Sequence, residues 1–196
     1  MKLLRCPFSL VLISLLSLAA CRESQPLPPG NWTGRCTPSP DAKGEAHYGP
    51  TPTSYVHDKA KMFSAEFLAE LQKSLTEFQR KSCHQLLVVT VATLDEKTLE
   101  DYALQYANRV GLGYRGLNNG VMMLLAPNTR QARLQIGCGL EDVITDKQAG
   151  EIMTRDLLPA LRDGDEREGI RAGLASLMAL ASKKTVASQY RPEGCK

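Results

Sequence analysis

Residues 121–136 read VMMLLAPNTRQARLQI. Residues 121–126 are apolar throughout, as suits a strand covered on both faces of a sheet. Pro127, Asn128, Thr129 and Arg130 then supply turn chemistry. After the turn Arg133 and Gln135 alternate with Leu134 and Ile136, the period of two of a strand with one polar face. A link this short suggests an antiparallel hairpin, because a parallel pair needs a crossover of a dozen residues or more. The stretch thus predicts a buried central strand and a half-exposed neighbour running back along it.

Similar signals recur outward from it. Residues 86–91, LLVVTV, form a second buried strand rich in β-branched side chains. Between the two strands Leu99, Tyr102, Ala103, Tyr106 and Val110 fall on one helical face, with Gly111 placed to end the helix in a left-handed turn. Upstream, Ser64 opens a helix with Glu66 in its first turn and Phe67, Leu68, Leu71, Leu75 and Phe78 on one face. Downstream, Thr145 and Gln148 have the spacing of a capping box. The helix they open buries Ala149, Ile152 and Met153, and Pro159 marks its end or a kink. Asp165 and Glu168 open a last helix with Ile170, Leu174, Leu177 and Met178 inward. The order is helix, strand, helix, strand, strand, helix, helix. It predicts an α/β fold with helices on both faces of a sheet, and a right-handed crossover through residues 99–110.

The chain has 196 residues, enough for one ordinary domain with chain to spare, and 43% of them are hydrophobic, enough for a core. With 24 basic and 21 acidic side chains, a formal +3 gives no argument for nucleic acid as a partner. The spare chain lies at the front. Lys2 and Arg5 precede an apolar run over residues 8–18, too short to span a bilayer as a helix but laid out as an export signal. The run ends in Leu18, Ala19, Ala20 and Cys21, the order of a bacterial lipobox. The expectation is a leader over residues 1–20, removed on export, and a lipid on Cys21 that anchors the mature chain to a membrane. Loss of Lys2 and Arg5 takes the charge from +3 to +1. Arg22, by analogy, is compatible with the periplasmic side of the outer membrane, and the inner membrane stays open. Residues 21–54 are rich in proline and glycine and read as a tether. The domain then occupies 55–182, and a polar tail 183–196.

Export also bears on the cysteines. With Cys6 in the leader and Cys21 lipidated, Cys36, Cys83, Cys138 and Cys195 remain. An even number in an oxidising compartment suggests two disulfides. Cys83 directly precedes one strand and Cys138 directly follows another. If those strands are neighbours, Cys83 pairs with Cys138, and Cys36 with Cys195 then ties the two tails together.

Residues 134–146, LQIGCGLEDVITD, pose the functional question. Glycines flank Cys138, and Glu141, Asp142 and Asp146 follow. In open sheets ligands gather beyond the carboxyl ends of strands. Glu141 and Asp146, with Asn118, Asn119 and Asp58, offer oxygen ligands for a hard cation, above all calcium. The other reading is that these acids cap the next helix or face water. A Cys138 thiolate with His84 or His57 is the weaker catalytic idea beside the disulfide, and His84 reads as a surface residue at a strand end. The three histidines have no zinc spacing. GLGYRG follows a helix and precedes a strand, the reverse of a phosphate-cradling loop.

Taken together, YVHDKAKMFS, LLVVTVATL, LEDYALQYANRVGLGYRGLNNGVMMLLAP, RLQIGCGLEDVITD and RDGD resemble the TPM domain family over about residues 55–181. That family includes thylakoid-lumen proteins linked to photosystem II repair and bacterial membrane-tethered proteins. The resemblance implies a three-layer α/β/α sandwich with a central mixed sheet. It implies calcium binding in some members, and weak acid phosphatase activity as described for the plant member. It places the family's acidic cluster at Asp58, Asn118, Asn119, Glu141 and Asp146. The chain departs from the family at Asn118, where aspartate is usual, which weakens cation affinity, and at Cys138, where tyrosine is usual. The family's C-terminal membrane helix has no counterpart, and the lipid on Cys21 is expected to replace it. Two functions follow: a tethered module that binds a divalent cation or an envelope protein, or a metal-assisted phosphomonoesterase.

Overall fold

The computed structural model describes residues 54–114, 116–188, 191 and 195. The expected leader, Cys21, Cys36 and all of the tether but Ser54 lie outside the described residues.

Four strands make one sheet in the order β1 (Val56–Asp58), β2 (Gln85–Thr90), β3 (Gly120–Ala126) and β4 (Gln131–Ile136). β1 and β2 are parallel, β2 and β3 are parallel, and β3 pairs antiparallel with β4. The opening stretch is therefore the predicted hairpin, closed by one turn of 3-10 helix over Pro127–Thr129. Every residue of β2 and β3 is buried, whereas β4 buries only Leu134 fully. β1 escaped the sequence reading. Only one of its three residues is apolar, and its pairing with β2 rather than its own pattern makes it a strand.

Helices cover both faces. α1 (Ala65–Ser82) starts where the Ser64 side chain accepts a hydrogen bond from the Phe67 amide. α2 (Leu99–Val110) is capped by Thr98 and ends at Gly111 in the left-handed region, as its sequence foretold. α3 (Asp146–Ile152) carries the full capping box of Thr145 and Gln148. A π-helical stretch, Met153–Leu157, then leads into α4 (Leu158–Asp163), with Pro159 in its first turn. Proline has no N–H and crowds the carbonyl four residues back, so the widened ladder just before it has a local cause. α5 (Glu166–Ala181) follows, although the Asp165 side chain makes no capping bond.

The strands sort their side chains between two cores. Leu86, Val88, Val121, Met123 and Leu125 join α1 and the last three helices in one. Leu87, Val89, Met122, Leu124 and Ala126 meet Ala103 and Tyr106 of α2 in the other. Truncating such a buried leucine to alanine costs about 2–5 kcal/mol. This is the three-layer α/β/α arrangement with an open mixed sheet. The two parallel crossovers step the same way across the sheet, yet α1 and α2 lie on opposite faces. The two connections therefore have opposite hands, and one of them departs from the right-handed rule.

The start of the tail is packed. Val186 is buried, and the carbonyl of Lys184 meets the His84 ring. Among the described residues no helix is long and apolar enough to cross a membrane.

Candidate functional site

The sheet has two ends, and the expected ligands are divided between them. Asp58 closes β1 and aligns with Thr90 and, through it, with Leu125. Asn119 precedes Gly120, which aligns with Gln85 at the opposite end of the same ladder. Five strand steps of about 3.3 Å separate the Thr90 and Gln85 rows along the sheet, and Asn119 lies one residue further, besides the sideways offset between strands. One cation cannot bridge that gap. Among the described residues no group of three or more His, Cys, Asp or Glu side chains is placed to hold a metal.

At the first end Asp58 has local work. Its Oδ1 accepts from the Met62 amide at 3.1 Å and its Oδ2 from the Phe63 amide at 3.0 Å. The Thr90 hydroxyl donates to Asp58 as well and accepts from the Ala60 amide at 3.1 Å. The carboxylate thus holds the loop that leads into α1, where Lys61 takes a left-handed conformation at φ 54. Beside this loop lies a cleft of about 340 Å³, lined by Met62, Phe63, Ser64 and residues 164–167. The starts of α1 and α5 both open onto it, with Asp165, Glu166 and Arg167 on its wall. The RDGD run, one of the blocks of the resemblance, supplies Gly164 and Asp165 of that lining.

At the second end two loops meet backbone to backbone. The Gly137 amide donates to the Gly120 carbonyl at 2.7 Å, and the Gly139 amide to the Asn118 carbonyl at 3.0 Å. A Cβ on Gly137 would stand 2.2 Å from the Asn118 oxygen, and one on Gly139 only 1.8 Å from the Leu117 oxygen. These glycines are there for close approach. Asn119 is buried. Its Oδ1 accepts from the Tyr114 amide at 3.1 Å, and its Nδ2 donates to the Cys83 carbonyl at 2.6 Å and to His84 Nδ1 at 3.1 Å. His84 is 1% exposed rather than the surface residue expected. Its Nε2 donates to the Lys184 carbonyl at 2.8 Å. Burial, followed by the Lys184 charge, lowers its pKa, so it stays neutral. Asn118, at φ 47, presents its carbonyl to Gly139. Glu141 and Asp146 are exposed at this same end, and Asp142 is paired with Lys184 at 2.8 Å.

The disulfide expectation needs correction. Cys83 and Cys195 are free thiols, while Cys138 is disulfide-bonded. The Cys83–Cys138 pairing supposed neighbouring strands, but β3 lies between β2 and β4. Two strand spacings of about 4.8 Å exceed the roughly 7 Å that a disulfide allows between Cα atoms. The Cys36–Cys195 pairing falls with it, since Cys195 is free and Cys36 is outside the described residues.

A third group was missed. Tyr102 and Tyr106, four apart on α2, stack at 5.9 Å. Lys59 lies 5.0 Å and Arg109 4.7 Å from the centre of the Tyr106 ring, and Lys97 6.0 Å from that of Tyr102. The Tyr106 hydroxyl is 2.9 Å from His57 Nδ1. Partial burial, then Lys59, lowers the His57 pKa, and burial raises that of Tyr106. The bond therefore joins a protonated phenol to a neutral imidazole. The helical spacing of the two tyrosines was readable. Their meeting with His57 and Lys59 was not, because β1 was not.

Sequence and structure comparisons agree with this architecture. A family model for the TPM domain matches residues 56–180. No curated protein matches the chain significantly. The N-terminal domain of a protein from P. gingivalis is 26% identical, with a TM-score of 0.61 over 67% of this chain and 83% of that one. The N-terminal domain of a Corynebacterium glutamicum protein is 19% identical, with a TM-score of 0.54 over 72% of this chain and 91% of that one. A protein of the psychrophilic bacterium Bizionia argentinensis is 16% identical, with a TM-score of 0.56 over 63% of this chain and 83% of that one. The last two likenesses are of fold alone. With the family model spanning more than half of its length, this chain belongs to the TPM domain family.

Proposed function

We propose that the domain is a binding and interaction module held at an envelope membrane through lipid on Cys21, with an acidic protein surface as its partner. The supporting observation is the cluster of Lys59, Lys97 and Arg109 on the rings of Tyr102 and Tyr106. Aromatic faces with cations on them are suited to recognition, because rings give contact area at little entropic cost and charges steer an opposite partner. A fluorescent oligo-glutamate peptide is the probe. Its anisotropy should report salt-sensitive binding, weakened about tenfold by Lys59→Ala with Arg109→Ala. Binding indifferent to both changes would remove the reading. Cell fractionation tests the anchor: Cys21→Ala should move the protein from the membrane to the soluble fraction.

The second reading is metal-assisted hydrolysis of a phosphomonoester, with the cation polarising a phosphoryl oxygen. It needs a place where phosphate and cation meet. The cleft at the starts of α1 and α5, with Asp165 and Glu166 on its wall, has the chemistry for it. Hydrolysis of p-nitrophenyl phosphate that depends on added calcium and is lost in Asp165→Asn with Glu166→Gln would favour this reading. Activity that survives both changes would come from a contaminant.

A further inference from the structure

Cys83 ends α1 in a left-handed conformation, with its amide 2.8 Å from the Gln79 carbonyl and its side chain 1% exposed. Cys195 reaches the same turn. Its thiol donates to the Gln79 carbonyl oxygen at 3.8 Å and its Sγ lies 3.6 Å from Gln79 Nε2, with Cys83 near enough to raise its pKa. Two thiols far apart in sequence therefore share one helical turn. Neither has the partner first expected of it, and both are free thiols.

We propose that Cys83 and Cys195 are an oxidisable pair whose disulfide fastens the C-terminal tail to the end of α1. The oxidant is a small-molecule or protein disulfide, with oxidised glutathione as its simplest form. Cys195, the more exposed thiol, attacks a sulfur of the oxidant, forms a mixed disulfide and releases one thiol. Cys83 then attacks the Cys195 sulfur and releases the second. The two cysteines lose two protons and two electrons, and the oxidant becomes two thiols. Burial, with Cys83 next, pushes the Cys195 thiol up to about 12. Few molecules hold it as thiolate at neutral pH, so closure is slow there and speeds with rising pH.

The bridge bears on more than the tail. The tail packs through Val186 and accepts from buried His84 through the Lys184 carbonyl. Fixing Cys195 locks this cover over the second end of the sheet. The inference stands apart from the binding function proposed above.

The experiment uses the full chain, first with its free thiols reduced and then treated with oxidised glutathione at pH 8.5. The products are alkylated, digested without reduction and mapped by mass spectrometry. A linked Cys83–Cys195 peptide pair is expected. Cys195→Ser, treated alike, should melt about 10 °C below the oxidised wild type, since the closed loop is long. The variant keeps Cys138 and its bond, so the difference belongs to this pair. Cys195 is a partly exposed tail residue, so its loss leaves the core intact even if Cys83 variants do not fold. The proposal is overturned if both thiols stay alkylatable after oxidation, if either is found only with glutathione or another cysteine, or if oxidised wild type and Cys195→Ser melt together.

Discussion

The two ends of the sheet use polar residues in different ways. At the Asp58 end one carboxylate gathers two amides and a hydroxyl and so holds an open loop beside a cleft. At the Asn119 end an amide, an imidazole and a packed tail form a closed polar network beneath two backbones in contact. A polar side chain at a strand end therefore says little about chemistry until its hydrogen bonds are traced. Asp58 and Asn119 were expected as partners in one site, and each instead stabilises its own end.

The largest expected effect tests the closed end. Gly139→Ala puts a Cβ 1.8 Å from the Leu117 carbonyl, with no flexible side chain to give way. The two loops must part, and the loss should be about 3–5 kcal/mol by urea denaturation. A loss below about 1 kcal/mol would mean that the loops separate readily, and the contrast between closed and open ends would collapse.

The open end should answer next. Asp58→Ala leaves the Met62 and Phe63 amides and the Thr90 hydroxyl without their acceptor. The part-buried site lets water replace some of these bonds, so the loss should be about 2–3 kcal/mol. Asp58→Asn keeps one acceptor oxygen and should lose less. If Asp58→Ala were neutral in stability, the carboxylate would be idle in the loop and available for a ligand after all.

These two ends also show what sequence could convey. Local signals were legible: the caps at Ser64 and Thr145, the stop at Gly111 and the hairpin at residues 127–130 all stand where their chemistry put them. Burial of β2 and β3 was legible because an apolar run fits only a covered strand. What failed depended on where strands lie and which way they run. A disulfide between the flanks of β2 and β4 required strand neighbours that periodicity does not encode, and a metal site joining Asp58 to Asn119 required one end of the sheet for residues that stand at the carboxyl end of β1 and just ahead of β3. β1 was lost because three residues with one apolar side chain carry no period. His84 was misplaced because its burial comes from the tail and from Asn119, both distant in sequence.

A smaller effect is expected from pH. Burial, then Lys184, holds the His84 pKa below its unfolded value. The unfolded chain therefore binds the extra proton first as pH falls. Stability should be full well above about pH 6.5 and should decline as acid passes through and below it. Protonation at Nδ1 would face the Asn119 amide with a second donor. His84→Gln keeps a donor and an acceptor but cannot take the proton. Its melting temperature should fall less than that of the wild type between pH 7.5 and 5.5. Equal slopes would place the titrating group elsewhere, with His57, also lowered mainly by burial, next in line.

The smallest effect on stability should come from Glu141→Ala combined with Asp146→Ala. Both side chains face water at the closed end, so the double change should lie within about 0.5 kcal/mol of wild type. That makes it a clean probe of ligand binding. Calcium affinity follows the number of charged ligands, and neither Asp58 nor the Asn119 side chain is placed to add to these two. Calorimetry with calcium should therefore give the same weak or absent heat for wild type and double variant. A wild-type signal that vanishes in the double variant while the fold stays intact would place a cation site at the closed end. It would also show that two exposed acids, with backbone carbonyls such as that of Asn118, suffice without Asp58.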